Sequence, residues 1–561
     1  MGRMGASIAV LTLLATLALT EAAFSKNPEA ASPDSSSGMM ELLLKIGAAL
    51  ATGMLLHVMA QPKNAAKKRK GEEYKGKVCV LGAGVAGLQV ARSLKNRGID
   101  CVVFDKAPDV GGLWRHNYVD SGIQAPKLMY EFPDFPAPYG DFAKTPEIQS
   151  YIKSFVDKFA LAPLLRLNTK VESVTQGAGG KGWSVSVSSP SGAETLIFDY
   201  VVICQGMYST TPNMEMLKDY TPGKDVFKGR VMHSSEYTDA AVAEGKQVVV
   251  VGSGKSAIDI ALHASKVGAK STLLFRNAHW GTPRLIAGLI PFKFVFTGRL
   301  GQALVSWYKG AWPSQAGSVY VAHKILWPVI AAAFRLVELI FAIQFGHFGK
   351  WRPSLDFVKD FYGYAQIHTP EYTKAITSSK VELVKSQIVS FGPDYVTIQN
   401  GKRIAADVVV FATGFGKSYG FLSPALVQQL DIDDDGLYLY RHMLPAGVKD
   451  IAFVGSESAS LSNICTYGIQ AEWLARMLTK RIQEPSDLLK TQEIDMFKTW
   501  KRGWMPKTGS RAGMIMAHWI HYHDSLLRDM GEPHRRFGMN WLAEIFHPYD
   551  ARAYKGLVGS N

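Results

Sequence analysis

An α/β fold with two Rossmann-like domains is what this sequence predicts, and three observations predict it. KVCVLGAGVAGLQVARSLKNRGIDCVVFDK and KQVVVVGSGKSAIDIALHASKVGAKSTLLFRN each read as strand, glycine turn, helix and strand. The 561 residues are too many for one small core, so two or three domains are expected.

The N-terminus comes first. Arg3 precedes the apolar run SIAVLTLLATLAL and the small residues of TEAA, as in a signal peptide, and SKNPEAASPDSSSG reads as unfolded linker. Residues 1–37 are therefore a targeting region with its linker. Residues 38–60 hold a second apolar run of about membrane-spanning length, weakened by Glu41, Lys45 and His57. Residues 61–75 form a basic linker whose KNAAKKRK would hold the rest on the cytoplasmic side or grip anionic headgroups. A membrane-attached N-terminus is expected, at the endoplasmic reticulum with the folded part cytoplasmic. A cleaved bipartite leader, for example to a plastid, is the other reading.

The first folded unit begins near residue 76. VCVL reads as a buried strand, a helix runs on from Leu88, and CVVF is a second strand ending in Asp105. Between them stand Gly82, Gly84 and Gly87. The first glycine permits the tight turn, the second lets backbone approach a pyrophosphate, and the third lets helix and strand pack closely. The helix N-terminus supplies free N–H groups and partial positive charge, and Asp105 can accept from a ribose 2′-OH. Together they predict a dinucleotide-binding domain with a free ribose, as in FAD.

The second unit differs in two places. Its turn is Gly252, Gly254 and Ala257, and its second strand ends in Arg276 rather than an acid. An arginine there attracts a 2′-phosphate, which suits NADPH. Lys255 and Ser256 either help hold the phosphates or are solvated helix positions. GKS at 254–256 resembles the end of a phosphate loop, but Val249 stands where that loop needs glycine.

The remaining features read more quietly. Residues 284–348 form an apolar insertion in which Pro328, Arg335 and Glu338 argue against an ordinary spanning helix. It is either domain core or a set of interfacial helices opening a substrate path to the membrane, and the second is preferred. DIDDDG at 431–436 reads as a polar hairpin turn, because His442 stands where a calcium loop needs glutamate. NICTYGIQAEWLARML reads as a loop feeding a helix, with Tyr467 and Gln470 either near a cofactor or simply packed. His518, His521, His523 and Asp524 lack metal-ligand spacing and read as part of a structural cap, so no metal is expected. Cys79, Cys101, Cys204 and Cys465 form no C-x-x-C and read as buried small hydrophobes in a reducing compartment. The net charge of +14 suits anionic partners, but no basic block carries interleaved aromatics, so nucleic acid is not expected.

Several motifs together resemble the flavin-containing monooxygenases, the class B flavoprotein group. GAGVAG is followed by GGLW, with Gly112 and Trp114. FKGRVMHSSEY carries Phe227, Gly229, His233 and Tyr237 in the family's F-x-G-x-x-x-H-x-x-x-[YF] pattern. FATGF carries Thr413 and Gly414. Related Baeyer–Villiger enzymes usually end their linker signature in Trp-Pro, where this chain has Tyr237 and Thr238, which points away from ketone oxygenation; Gln124 resembles plant-type members, and the C-terminal HWIHYHDSLLRDMG and EIFHPY resemble plant-like and fungal-like ones. GIQAPKLMYEFPDFPAP is similar to the segment that holds a catalytic asparagine in the N-oxygenating members, and Gln124 stands at that place.

The resemblance implies a split FAD domain (76–229 and 406–561, the latter with a C-terminal cap) and an inserted NADPH domain (230–405). It implies that NADPH reduces the FAD, that O2 then gives a C4a-hydroperoxyflavin, and that a soft nucleophile takes the oxygen. The substrate would be a small nitrogen or sulfur compound, and a lipophilic one would suit the interfacial reading of residues 284–348. An NADPH oxidase or dehydrogenase, or a Baeyer–Villiger oxygenation of ketones, is the alternative. Phe227 to Asp239 is expected to act as a joint: Gly229 allows a tight path, Phe227 and Tyr237 pack on the flanking domains, and His233 hydrogen-bonds across.

Overall fold

The computed structural model describes residues 69–558 apart from 178–179, 208–210, 215–221, 307–316, 347–351, 365 and 517. The expected targeting region, the apolar segment 38–60 and most of the basic linker lie outside the described residues.

In chain order, the first half contributes β1 (Val78–Leu81), α1 (Val85–Asn96), β2 (Cys101–Phe104), β3 (Leu165–Arg166) and β4 (Tyr200–Ile203). Then come β5 (Arg230–His233), β6 (Gln247–Val251), α2 (Lys255–Val267), β7 (Lys270–Phe275), β8 (Gly281–Pro283) and α3 (Gly317–Phe345). The second half adds α4 (Phe357–Tyr364), β9 (Gln366–His368), β10 (Val381–Lys385), β11 (Val408–Phe411) and β12 (Ile451–Phe453). Three helices follow: α5 (Asn463–Leu478), α6 (Asp487–Trp504) and α7 (Trp519–Asp529).

Two five-stranded parallel sheets organise these elements, in the orders β12-β4-β1-β2-β3 and β10-β7-β6-β11-β5. Their inner strands are short and mostly apolar, as strands buried on both faces must be, while the edge strands carry Arg166, Arg230 and Glu382. β12 returns to the first sheet only after the second sheet is complete, so the second unit is inserted into the first. β11 belongs to the second sheet, so the expected return at residue 406 falls before that sheet's last strand rather than after it. A three-stranded antiparallel meander interrupts each sheet in the chain, Lys170–Gln176 with Trp183–Ser189 and Gly192–Phe198 ahead of β4, and Ile388–Phe391 with Tyr395–Ile398 and Arg403–Ala405 ahead of β11.

Apolar clusters cover both faces of both sheets. A fifth cluster joins the insertion to the C-terminal cap: Phe334 and Phe341 of α3, Phe357 and Phe361 of α4, and Met505, Met514 and Met516 beyond α6. The described part of the insertion thus contributes to a core. Among the described residues no helix is long and apolar enough to cross a membrane. An ion-pair centre fastens insertion to cap. Arg299 is fully enclosed, with Asp524 at 2.6 and 2.9 Å and Glu544 at 2.5 Å. The last histidine-rich segment is α7: its Asp524 serves Arg299, and His523 meets the Thr466 hydroxyl at 2.9 Å. Among the described residues no group of His, Cys, Asp or Glu could hold a metal ion.

The run 431–436 does form a turn, closed by a bridge between Asp433 and Gly436. Its carboxylates neutralise cations: Asp433 pairs with Lys498 at 2.5 Å, and Asp435 with Arg502 at 2.8 Å and Arg511 at 2.5 Å. The four cysteines are buried and unbridged. Burial pushes the Cys101 thiol up to about 12, which leaves it an inert hydrophobe.

Candidate functional site

The first turn lies between β1 and α1. Gly82 has φ +109°, and a Cβ there would stand 2.6 Å from the Cys204 carbonyl oxygen of β4's end. A Cβ on Gly87 would stand 1.8 Å from the Gly82 carbonyl oxygen, so the helix could not reach the strand. Gly84 faces Gly112, whose φ is +55°; a Cβ on Gly84 would lie 3.7 Å from the Gly112 Cα. The two glycines keep side chains off the start of α1, which has no side-chain cap and no acid in its first turn. That leaves backbone N–H groups and the helix dipole for an anion, and the cradle fits a dinucleotide pyrophosphate. Asp105, at the end of β2, accepts from the Ala83 N–H at 2.7 Å and the Ala107 N–H at 2.8 Å. These bonds fix its carboxylate beside the turn while leaving lone pairs for a ribose hydroxyl. Trp114 is buried and donates its indole N–H to the Tyr130 hydroxyl at 3.1 Å.

The second turn lies between β6 and α2. Gly252 has φ +140°, and a Cβ there would stand 2.4 Å from the Ala412 carbonyl oxygen at the end of β11. Gly254 has nothing within 4 Å of where a Cβ would be, so this turn is open. α2 likewise starts without a side-chain cap or an acid, with Ser256 half-buried in its first turn. Arg276 is exposed just past β7. The arrangement fits a second dinucleotide carrying an extra phosphate.

Between the turns runs the joint. β5 lies parallel to β11, with His233 opposite Phe411, so the outgoing and returning chains are neighbours. His233 is fully buried. Its Nε2–H donates to the Gly414 carbonyl at 3.0 Å, and its Nδ1 accepts from the Ser235 N–H at 3.2 Å. Burial holds its pKa below the ordinary value, so both nitrogens are satisfied in the neutral ring. The Tyr237 hydroxyl meets His263 of α2 at 2.8 Å, and its carbonyl accepts from Val119 of the first domain at 2.9 Å. Phe227 packs edge-on to Phe391 at 5.4 Å. A Cβ on Gly229 would lie 2.4 Å from the Asp407 carbonyl oxygen. Thr413 donates to the Asn213 carbonyl at 2.5 Å, and Gly414 has φ +79°. The signature residues therefore meet one another and the two domains rather than forming a catalytic or metal cluster.

Gln124 is half-buried and spans the domains. Its side-chain oxygen accepts from the Ile367 N–H of β9 at 2.9 Å. The neighbouring Gln366 donates to the Ser253 carbonyl within the second turn. One short strand thus touches both the Gln124 side chain and the open glycine turn.

A loop that sequence reasoning missed closes over the first turn. Gly455, φ +68°, follows β12, and its backbone lies so near α1 that a Cβ would come 2.5 Å from the Ala86 Cβ. Gln470 of α5 accepts from the Gly455 N–H at 3.1 Å and the Ser458 hydroxyl at 3.2 Å, and donates to the Tyr522 hydroxyl at 2.7 Å. Glu457, buried in the same loop, pairs with Lys417 at 2.6 Å and accepts from Tyr419. Burial raises its pKa against the pull of Lys417. The sequence signals were Gln470 itself and the GKSY that directly follows FATGF, which has no period of its own.

Two glycine-turn domains joined through a buried histidine define a flavoprotein of the two-dinucleotide class. The family described as flavin-binding monooxygenase-like matches residues 75–324 and 361–536, and the chain belongs to that family. The probable flavin-containing monooxygenase 1 of Arabidopsis thaliana is 26% identical, over 85% of this chain and 96% of the relative. Flavin-containing monooxygenase 1 of Homo sapiens is 27% identical, over 82% of this chain and 84% of the relative. Among solved structures, cyclohexanone monooxygenase from Rhodococcus sp. Phi1 bound to NADP+ superposes with TM-score 0.59 at 19% identity, covering 80% of this chain and 96% of that one. S-allyl-L-cysteine S-oxygenase from Allium sativum superposes with TM-score 0.55 at 19% identity, covering 82% and 89%. The chain is a flavin-containing monooxygenase, with FAD and NADPH as its cofactors.

Proposed function

We propose that the enzyme uses NADPH and O2 to oxygenate a soft nucleophile, nitrogen or sulfur, of a small lipophilic substrate. The observation that carries this reading is the pair of unlike turns, one backed by Asp105 and one by Arg276, facing a common joint. Bound FAD supplies the oxygen-activating chemistry. The residues of the chain bind, orient and exclude water. The Gly84–Gly112 cradle and Asp105 hold FAD; the Gly252–Ser256 turn and Arg276 hold NADPH. Gln124, with an amide that both donates and accepts, orients the reacting groups where the two domains meet. His233 sets the geometry of the joint and relays no proton, because its neutral ring is already satisfied on both sides.

This chemistry requires no nucleophilic side chain. Attachment through the N-terminal apolar segment, at the endoplasmic reticulum, belongs to the same proposal, since it would bring lipophilic substrates to the enzyme. The test is a product screen by mass spectrometry with labelled O2 over thioethers, amines and ketones, run beside NADPH consumption. Label in an S- or N-oxide is expected. Stoichiometric peroxide with every substrate would make the protein an oxidase, and label in an ester would make it a Baeyer–Villiger enzyme.

A further inference from the structure

Where the two domains meet lies a pocket of about 250 Å3. The first domain contributes Asp120, Phe142 and Lys144, and the second contributes Lys255, Asp259, Arg284 and Glu371 among others. Four cations (Lys144, Lys255, Lys266, Arg284) line it against three carboxylates (Asp120, Asp259, Glu371).

Most of these charges are engaged. Asp259 holds Lys255 and accepts from the Tyr118 hydroxyl at 3.0 Å. Asp120 lies between Lys144 at 3.6 Å and Lys266 at 3.9 Å. The Glu371 carboxyl is held below its ordinary value, chiefly by its own backbone N–H and with help from Thr369.

Arg284 is different. It follows β8, and its guanidinium carbon lies 3.6 Å from the centre of the Phe142 ring across the domain boundary. Among the described residues its side chain makes no hydrogen bond and no ion pair, and its Nε is buried without an acceptor. Glu371, Asp259 and Asp141 act on it only from a distance, while burial pulls its pKa down. A guanidinium has five donors and no acceptor, stays charged, and loses solvation when enclosed, so a half-enclosed one without a partner needs an anion. The contact with Phe142 holds the guanidinium at the pocket that Arg284 lines, and a guanidinium fork can take a carboxylate or phosphate in two parallel bonds.

We infer that this interdomain pocket is an anion-binding site in which Arg284 holds a carboxylate or phosphate group. The ligand has two sources under the function proposed above, on which the arms of the test rest: a phosphate of NADPH, or a carboxylate on the substrate.

The test is protection of Arg284 in the FAD-loaded full chain. Phenylglyoxal modifies arginine, and peptide mass spectrometry reads the extent at Arg284 with NADP+, with methylthioacetate, or with its neutral analogue methylthioacetamide. Protection by NADP+ assigns a cofactor phosphate. Protection by methylthioacetate but not by the amide assigns a substrate carboxylate. Protection by neither overturns the inference. Arg284→Gln is then expected to weaken binding of the protecting ligand about tenfold or more, with Arg284→Lys keeping part of it and flavin content unchanged. Unchanged affinity in both variants also overturns it. If labelled oxygen still reaches product under either of those results, the proposed function stands and only the anion site is lost.

Discussion

The two glycine turns are built on one plan and differ in how tightly they are closed. In each, the fingerprint strand lies at the centre of a five-stranded parallel sheet, the following strand lies on one side, and a later strand lies on the other. The first turn is crowded: Gly87 lies against Gly82, Gly84 faces Gly112, and the Gly455 loop lies on α1. The second is open, with Ala257 in place of the third glycine and free space over Gly254. A crowded cradle retains its ligand and an open one exchanges it. The first suits a cofactor that stays with the protein, and the second suits one consumed in each cycle.

The largest expected effect breaks the crowded turn. Gly87→Val forces a side chain into the Gly82 carbonyl, and flavin absorbance per protein should fall at least about tenfold, as expected for overpacking that costs several kcal/mol. The matched change in the open turn, Ala257→Gly, should cost only about 1 kcal/mol of helix stability and leave flavin content unchanged. Equal flavin loss in both would erase the contrast.

Next is the charge that separates the two sites. Arg276→Ala removes a charge-assisted bond of roughly 1.5–3 kcal/mol, so KM for NADPH should rise about 10- to 100-fold while KM for NADH hardly moves. A parallel rise for both cofactors would place Arg276 outside the 2′-phosphate site.

The joint should give a smaller effect on both. His233→Ala leaves the Gly414 carbonyl without its donor, at a cost of about 1–3 kcal/mol. KM for NADPH should change more than flavin content, and complete loss of FAD from a folded variant would contradict the assignment.

The smallest effect is in pH. The folded protein holds His233 below the ordinary histidine value, so the unfolded chain binds the extra proton first. Its contribution is fully present above the unfolded value of about 6.5 and is lost as pH falls through the folded one. His518 and His523 are shifted the same way, the latter down to about 3, so thermal stability should decline steadily on acidification. His233→Gln, which keeps an amide donor, should show a shallower decline in melting temperature from pH 7 to 5.

Both Rossmann units were legible because each is local: an apolar strand, a spaced glycine turn and a periodic helix within about thirty residues, in the length range of such a unit. The first helix begins at Val85, three residues before the expected Leu88, because helix ends are set by caps and packing rather than by apolar period. The insertion was harder. Its apolar helix reads equally well as a membrane-facing or a core element, since periodicity records that a face is buried and not what buries it. The structure supplies Met505, Met514 and Met516 from the far end of the chain as its partners.

The sequence by itself determined the two turns, their opposite terminal charges at Asp105 and Arg276, and the joint between them, because those are short-range patterns with one backbone solution each. Only the tertiary structure decided that β12 completes the first sheet after the second, that Gln124 reaches across to Ile367, and that Arg284 stands on Phe142 without a partner. Those are contacts between residues far apart in the chain. They exist because folding brings unlike segments together, and no spacing within either segment encodes the meeting.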